Sequence, residues 1–583
     1  MPRSGSDTRS EVLRRTHVLL ALAELVAILV VAPAAAADVS VRLMPGVRYT
    51  KDVRWSGGHR IVTHAVVAPP PGGLYSLRPV LSGGLLTGRA TVSSMTRSVR
   101  WRGTAVAVNG DFFNVLSGRP TGMYMRRRVL VSPPYPKRSS VGITTAGLLT
   151  VAEVSSVGTW QAGSFPRHRL AYFNHVPLWR DGVSLYTREW GLRTATGRRQ
   201  FAVVVTPLRR VRLAKNELGV VVAVVRGGGV TIPRGGAVLQ ARGEWGRRLV
   251  AEAPLGATVT ARVDLRPAWD DVSDAVGGGP VLVRNGRAVT SAGEDFLRTQ
   301  IEPRAPRSAI GQRADGRIVL YAVDGRSRAS AGLTIAGLAH EMARLGCVRA
   351  MALDGGGSTT LAFDGHVLNR PSDGAERAVS DALAFVYSGV YVPRPSRAIV
   401  TPDGDGRGDD EHLAYRVVRP STVTTSLVSP EGTVAWQVAT SRPRGTYAVE
   451  LPNANLSDGR WRWSVAAVDS LGRRSAMSRR FFVNRTVASM DLRPTPVPRG
   501  RSVAVRFTVE RPSDTRVTIR RHGRLVRVVA HRWLGAGSHV VRWTGRTQTG
   551  RLARLGSYVV RVRTLNRYGS FAAARGLQVV SAP

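Results

Sequence analysis

Only one stretch of this 583-residue chain reads plainly as a helix. Leu333 to Leu345 has Thr334 where an N-cap belongs, Leu338, Met342 and Leu345 on one face, and Gly346 where a helix ends. Strand-like runs flank it, Ile318 to Val323 before and Val348 to Leu353 after. A strand, a helix and a strand of these lengths spell a crossover unit, whose functional residues collect at strand ends. Asp324 and Asp354 each stand first after one of those strands. The rest of residues 38 to about 390 is short strand-like runs between glycine-rich turns, so a mixed α/β (α+β) domain is expected there.

A chain this long does not fold around one core, and 43% hydrophobic residues excludes a mostly disordered one. Composition changes near 390. Val392 to Pro395 is proline-rich, and beyond it apolar and polar residues alternate, as in Arg460 to Val468 and Ser557 to Thr564. Residues 393–484 and 485–583 each fit a small all-β sandwich. The expected order is a signal peptide (1–37), the mixed α/β (α+β) catalytic domain (38–392) and two all-β immunoglobulin-like sandwiches.

Arg14 and Arg15 precede an apolar run, Val18 to Val31, and small residues follow, Ala34 to Ala37. This is the layout of a secretory signal cut near Ala37, with an uncleaved anchor as the alternative. No later stretch reaches the length that spans a bilayer. The compartment expected is extracellular or envelope-associated. Cys347 is the only cysteine, which excludes a disulfide framework and reads as a buried apolar residue. The formal net charge is +45, almost all of it arginine, since Lys51, Lys137 and Lys215 are the only lysines. Such a surface favours polyanions such as anionic envelope polymers or phosphorylated glycans. The arginines lack the short basic blocks and aromatic interleaving of a dedicated nucleic-acid reader.

The segment richest in chemistry is Asp354-Gly-Gly-Gly-Ser-Thr359. Three glycines after a buried strand let successive N–H groups face one point, and such a nest cradles a phosphate or oxyanion. Gly355, Gly356 and Gly357 would supply backbone, Ser358 and Thr359 hydroxyls. Taken alone, the segment fits a turn capped by Asp354 equally well.

Six ordered motifs add context. They are Val108-Asn-Gly-Asp-Phe-Phe113, Ala275-Val-Gly-Gly-Gly-Pro-Val-Leu-Val283, Pro306-Arg-Ser-Ala-Ile-Gly311, Val323-Asp-Gly-Arg326, Leu353-Asp-Gly-Gly-Gly-Ser358 and Val367-Leu-Asn-Arg-Pro-Ser-Asp373. Together they resemble the phosphodiester glycosidase family, the N-acetylglucosamine-1-phosphodiester α-N-acetylglucosaminidase (uncovering-enzyme) domain, whose bacterial relatives are often labelled exopolysaccharide-related. The resemblance covers about 100 to 390. Asp111 departs from it, many relatives carrying Gly or another small residue there. Leu534 to Trp543 and Gly556 to Val562 resemble the immunoglobulin-like module of flagellar hook-capping proteins.

The resemblance implies a hydrolase that breaks a sugar-1-phosphodiester at the anomeric carbon. A phosphate monoester leaves readily as an anion, so such a site must hold the phosphate and place a carboxylate by the sugar or by water. Arg307 is the candidate phosphate clamp, and Asp324 with Asp354 the candidate carboxylate pair. Asn109 would bond a sugar hydroxyl or orient a carboxylate, though Asn-Gly is also a common turn. Asp111 joins it as a candidate substrate contact. Gly278 and Gly279 would let backbone approach the substrate, or form a bulge. Asn369, Asp373 and Arg377 read as a rim loop returning to the pocket.

No cofactor is required by these motifs. Asp403, Asp405 and Asp409 crowd carboxylates into a glycine-rich loop that would suit calcium, without EF-hand spacing, and a solvated turn is the alternative. No H-E-x-x-H or G-x-S-x-G motif occurs. Trp461, Trp463, Trp533 and Trp543 could stack sugars, but alternation favours a sandwich core. Two other functions stay open: a non-catalytic glycan- or wall-binding protein, and a glycosidase for ordinary glycosidic bonds.

Overall fold

Glycine-punctuated runs make strands of more than half of this chain. The computed structural model describes residues 39–175, 182–208, 210–290, 293–395, 399–400, 412–450, 456–484 and 486–581. The expected signal peptide and the Asp403, Asp405 and Asp409 loop lie outside the described residues. The expectation of a mixed α/β catalytic domain is overturned. Strands make up 55% of the chain and helix 7%, with four α-helices among the described residues. The helix read from the sequence exists as Ile335–Arg344, where the Thr334 hydroxyl accepts from Gly337 N at 2.9 Å. It covers one face of a sheet rather than recurring between strands.

The chain divides into two compact units, the first running to residue 386 without 100–104, the second holding 100–104 and 387–583. In the first, an eight-stranded sheet runs in the order Val39–Met44, Val47–Ser56, His59–Ala68, Ile318–Val323, Arg307–Arg313, Cys347–Leu353, Val281–Arg284, Arg287–Ala288. Leu338, Ala339 and Met342 of the helix pack on it with Cys347. Its neighbours pair antiparallel throughout. The two strands flanking the helix therefore do not adjoin. Arg307–Arg313 lies between them, with Arg307 opposite Val323 and Ser308 opposite Leu353. Asp324 and Asp354 thus leave the same sheet edge two strand spacings apart, roughly 9–10 Å.

Three more sheets complete this unit. A five-stranded sheet orders His366–Val367, Leu361–Phe363, Thr104–Asn109, Asp381–Tyr387 and Tyr75–Leu81. A six-stranded sheet includes Val272–Gly277 between Tyr124–Arg126 and Ser139–Thr144. Seven strands between Ser155 and Arg266 close into a barrel filled by Trp160, Leu185, Val203, Leu239 and Val263.

The second unit holds a five-stranded and a two-stranded sheet, then a three-stranded and a five-stranded sheet. Strand Gly459–Asp469 alternates buried and outward residues. Trp461, Trp463 and Trp543 are core residues, whereas Trp533 is 66% exposed.

Candidate active site

Strand Thr104–Asn109 is buried along its whole length, so its last side chain must find partners inside the protein. Asn109 Nδ2 donates to the Asp354 carbonyl at 2.7 Å, and its Oδ1 accepts from Ser308 Oγ at 2.7 Å and Thr360 N at 3.1 Å. All its polar atoms are engaged, so Asn109 joins strand ends rather than contacting a sugar. Gly110 continues the stitching: its N–H donates to the Asp381 carbonyl and its carbonyl accepts from Asp354 N, both at 3.0 Å. A Cβ on Gly110 would collide with the Asp381 carboxylate, so only glycine lets the three elements meet.

This stitching crowds three carboxylates. Asp111 N donates to Asp381 Oδ1 at 3.1 Å, while Asp111 accepts from Phe112 N at 2.8 Å and Gly122 N at 2.6 Å. Asp381 Oδ2 accepts from Ser380 Oγ at 2.6 Å. Burial, then the Asp381 charge, pushes the Asp111 carboxyl well above the usual range against the pull of those two N–H donors. Burial likewise raises Asp381 to about 6, opposed by the Ser380 hydroxyl and Asp111 N–H. Asp354 is also raised to about 6, chiefly by burial and further by Asp381. The Arg377 charge, the Gly355 N–H and the nearby Ser358 hydroxyl oppose that rise, although Ser358 Oγ falls short of full hydrogen-bond geometry. Among the described residues, no three acidic, His or Cys side chains are placed to hold one metal ion.

The glycine turn is not the open nest expected. Gly356–Ser358 forms one short 3₁₀ turn, and the N–H groups of Gly356, Ser358 and Thr359 already donate to the carbonyls of Pro306, Gly355 and Gly356. What the turn does offer is side chains. The hydroxyls of Ser358, Thr359 and Thr360 are buried with no hydrogen-bond partner among the described residues, an uncommon condition for buried polar groups. Gly356 has φ +61°, and a Cβ there would meet Arg326 Nη2 at 3.2 Å. Arg326 is exposed, adopts φ +55°, and has no hydrogen bond or ion pair among the described residues. A Cβ on Gly357 would collide with the Arg377–Asp373 pair, in which Asp373 Oδ2 accepts from Arg377 Nε at 2.9 Å and Nη2 at 2.6 Å.

Two of the expected catalytic residues are held by bonds within the protein. Arg307 is 8% exposed, and its Nε, Nη1 and Nη2 donate to the carbonyls of Leu333, Gln300 and Pro303 at 3.0, 2.8 and 2.8 Å. With one carbonyl on each nitrogen, the guanidinium ties loops and has no open fork for phosphate. Asp324 does not pair with Asp354. Its Oδ2 lies 3.1 Å from His64 Nε2 and its Oδ1 accepts from Arg370 N at 2.9 Å. His64 Nδ1 is 2.8 Å from the Tyr49 hydroxyl, which also donates to the Leu368 carbonyl at 3.2 Å. This buried Asp324–His64–Tyr49 chain holds the start of the rim loop. Asn369 belongs to the same frame, accepting from Leu361 N at 2.8 Å and donating to the Thr359 carbonyl at 3.1 Å. Gly279 N donates to the Ala352 carbonyl at 2.9 Å, which lays Gly278 and Gly279 across the strand that ends in Asp354.

A narrow crevice opens beside the cluster, lined by Asp111, Gly122, Tyr135, Arg138, Gly277 and Gly278. Asp381 and Arg326 are the residues the motifs left unassigned. Arg326 ends the Val323-Asp-Gly-Arg motif, and its place two residues after a strand-end Asp was a usable signal. Asp381 opens an ordinary apolar strand and carried none.

Residues 210–386 match the phosphodiester glycosidase family. That segment holds Arg307, Asp324, Arg326, Asp354 and Asp381, while Asn109 and Asp111 precede it. A curated SPbeta prophage-derived uncharacterised protein of Bacillus subtilis (strain 168) is 49% identical over 82 residues, 14% of this chain and 13% of that protein. The crystal structure of a hypothetical protein from Synechocystis is 26% identical with a TM-score of 0.52, covering 60% of this chain and 64% of that one. The chain thus spans less than two thirds of either relative. The zebrafish N-acetylglucosamine-1-phosphodiester α-N-acetylglucosaminidase catalytic domain, auto-inhibited by its pro-peptide, is 14% identical with a TM-score of 0.31, over 60% of this chain and 87% of that one.

Proposed function

We propose that this chain, whose residues 210–386 carry a phosphodiester glycosidase domain, hydrolyses a glycosyl-1-phosphodiester in a phosphorylated glycan or envelope polymer. The observation that carries the reading is the crowding of Asp111, Asp354 and Asp381, with Arg326 close to Gly356, two residues beyond Asp354. Cleavage of the bond from the anomeric carbon to the phosphate oxygen develops positive charge on the sugar and negative charge on the departing phosphate. A carboxylate must meet the first and a cation the second.

Asp354, raised only to about 6, is ionised at neutral pH and is assigned the sugar side, as nucleophile or as base for water. Asp111, whose carboxyl burial and the Asp381 charge push upward, is assigned the side of the leaving oxygen, as proton donor. Asp381 fixes Asp111 through the main-chain bond and sets its proton affinity. Arg326, with Arg377 alongside, takes the phosphate oxygens in place of Arg307, and the hydroxyls of Ser358 to Thr360 face a bound oxyanion or water. The signal-like segment 1–37 supports an extracellular or envelope location for this activity, with the C-terminal sheets holding the enzyme at the envelope.

The experiment is to offer the full chain a sugar-1-(methyl phosphate) and the matching methyl glycoside. Methyl phosphate release from the first, without methanol release from the second, supports the reading. Equal cleavage of both would replace it with an ordinary glycosidase.

A further inference from the structure

The strand that leads into Asp354 starts beside a cavity at its other end. Arg349, five residues before Asp354 and so roughly 17 Å away along the strand, stands directly opposite Arg284, which in turn stands opposite Arg287. Residues opposed in this way share one face, so three arginines line up across three strands. Like charges so placed repel one another. The Asn285-Gly286 turn, with φ +50° and +78°, is pinned to the first of these strands by Gly286 N, which donates to the Val348 carbonyl at 3.1 Å.

The cavity has a volume of about 340 Å³ and lies between this row and the hairpin of Ser139–Thr144 with Leu149–Glu153. Small-molecule sites run from about 300 to 1,000 Å³, so there is room for one sugar ring with a phosphate. Arg284, Asn285 and Arg349 line it from one side and Thr150 from the other, and Asp271 also faces it. Arg349 has one hydrogen bond, from Nη1 to the Leu149 carbonyl at 3.2 Å, which holds its guanidinium in place. The side chains of Arg284 and Asp271 have no hydrogen bond or ion pair among the described residues. One carboxylate and two guanidinium groups therefore line the same space without pairing. The Asn285 amide and the Thr150 hydroxyl also have no partner among the described residues.

A bare anion would satisfy the arginines and be repelled by Asp271. A neutral sugar would satisfy Asp271, Asn285 and Thr150 and leave two cations unmatched. A phosphorylated sugar meets both needs, its phosphate accepting from Arg284 and Arg349 and its hydroxyls donating to Asp271. We infer that this cavity is a second site, distinct from the carboxylate cluster, for a phosphorylated sugar unit of a glycan.

The test is equilibrium titration of the full chain with glucose 6-phosphate, which has no phosphate on its anomeric carbon and is not a substrate of the proposed hydrolysis. Glucose and inorganic phosphate are titrated alongside. Glucose 6-phosphate should bind at least ten-fold more tightly than either. Arg284→Gln, which breaks no hydrogen bond or ion pair among the described residues, should weaken it several-fold, and Arg284→Gln combined with Arg349→Gln at least ten-fold. Asp271→Asn should narrow the preference over inorganic phosphate by relieving the repulsion of the bare anion, and Arg326→Gln should change nothing. Equal binding of glucose 6-phosphate and inorganic phosphate by the wild type, or no binding of either, overturns the inference. Loss of binding in Arg326→Gln, with retention in the double arginine variant, also overturns it by moving the ligand to the carboxylate cluster. Binding as expected, with no glycosyl phosphodiester cleaved, would keep this site and remove the hydrolase reading.

Discussion

The main-chain N–H of Asp111 donates to Oδ1 of Asp381 at 3.1 Å, across 270 positions of sequence. Gly110 makes the approach physically available, since any side chain there would occupy the space of the Asp381 carboxylate. The turn after one buried strand is thereby fastened to the first residue of another. Asp354, held by Gly110 and Asn109, is fastened to the same point. The cluster is a product of the fold, and two buried carboxyl groups with a half-buried third in one place are costly unless they bind something.

That cost has a pH signature. Asp354 is raised from 3.8 to about 6, so the folded chain keeps a proton that the unfolded chain releases between those values. The stability it contributes is complete below about pH 4 and is lost as pH rises through 6. At about 1.4 kcal/mol per pKa unit, Asp354→Asn should gain on the order of 3 kcal/mol relative to wild type between pH 4 and pH 7.5. Urea unfolding of both proteins at the two pH values checks this. A pH-independent difference would mean that the carboxyl is not raised.

Arg307 and Arg326 should separate cleanly. Arg307→Ala leaves three carbonyls without their charged donor and should cost about 2–4 kcal/mol of stability. Arg326→Ala removes no hydrogen bond or ion pair among the described residues, so stability should stay within about 0.5 kcal/mol while kcat/KM falls by roughly 10²-fold or more. Thermal unfolding and kinetics on the same preparations decide between them.

These two arginines also mark how far the sequence could be read. The position of Asp354 just past a strand end was legible because a triple glycine follows an apolar run, and the helix at Ile335–Arg344 because caps and periodicity are local. The direction of the Arg307 side chain was not legible, because its motif places it beside the site while the side chain turns back to Leu333, Gln300 and Pro303. Asp324 was misread because strand, helix, strand suggests adjacent strands, and Arg307–Arg313 enters between them from earlier in the chain. Asp381 was invisible because only long-range pairing brings it to Asp111. The mixed α/β expectation failed the same way, one clear helix having been extrapolated to a domain of short strands.

Tyr49→Phe tests the buried chain that runs through His64 to Asp324. Losing the hydroxyl frees the Leu368 carbonyl and one side of His64, at a cost of about 1 kcal/mol in stability. If the chain positions the rim loop that carries Arg377, KM should rise several-fold with kcat nearly unchanged. Asp324→Asn should behave in the same way. A collapse of kcat in Asp324→Asn, with KM unchanged, would restore Asp324 as a catalytic carboxylate.

The most direct test is release of methyl phosphate from a sugar-1-(methyl phosphate) by the full chain and by Asp354→Asn. Turnover by the wild type and a fall of roughly 10²–10⁴-fold in a variant that still unfolds cooperatively are the expected results. Wild-type-like turnover in folded Asp354→Asn would contradict the assignment of the active site to the Asp111, Asp354 and Asp381 cluster.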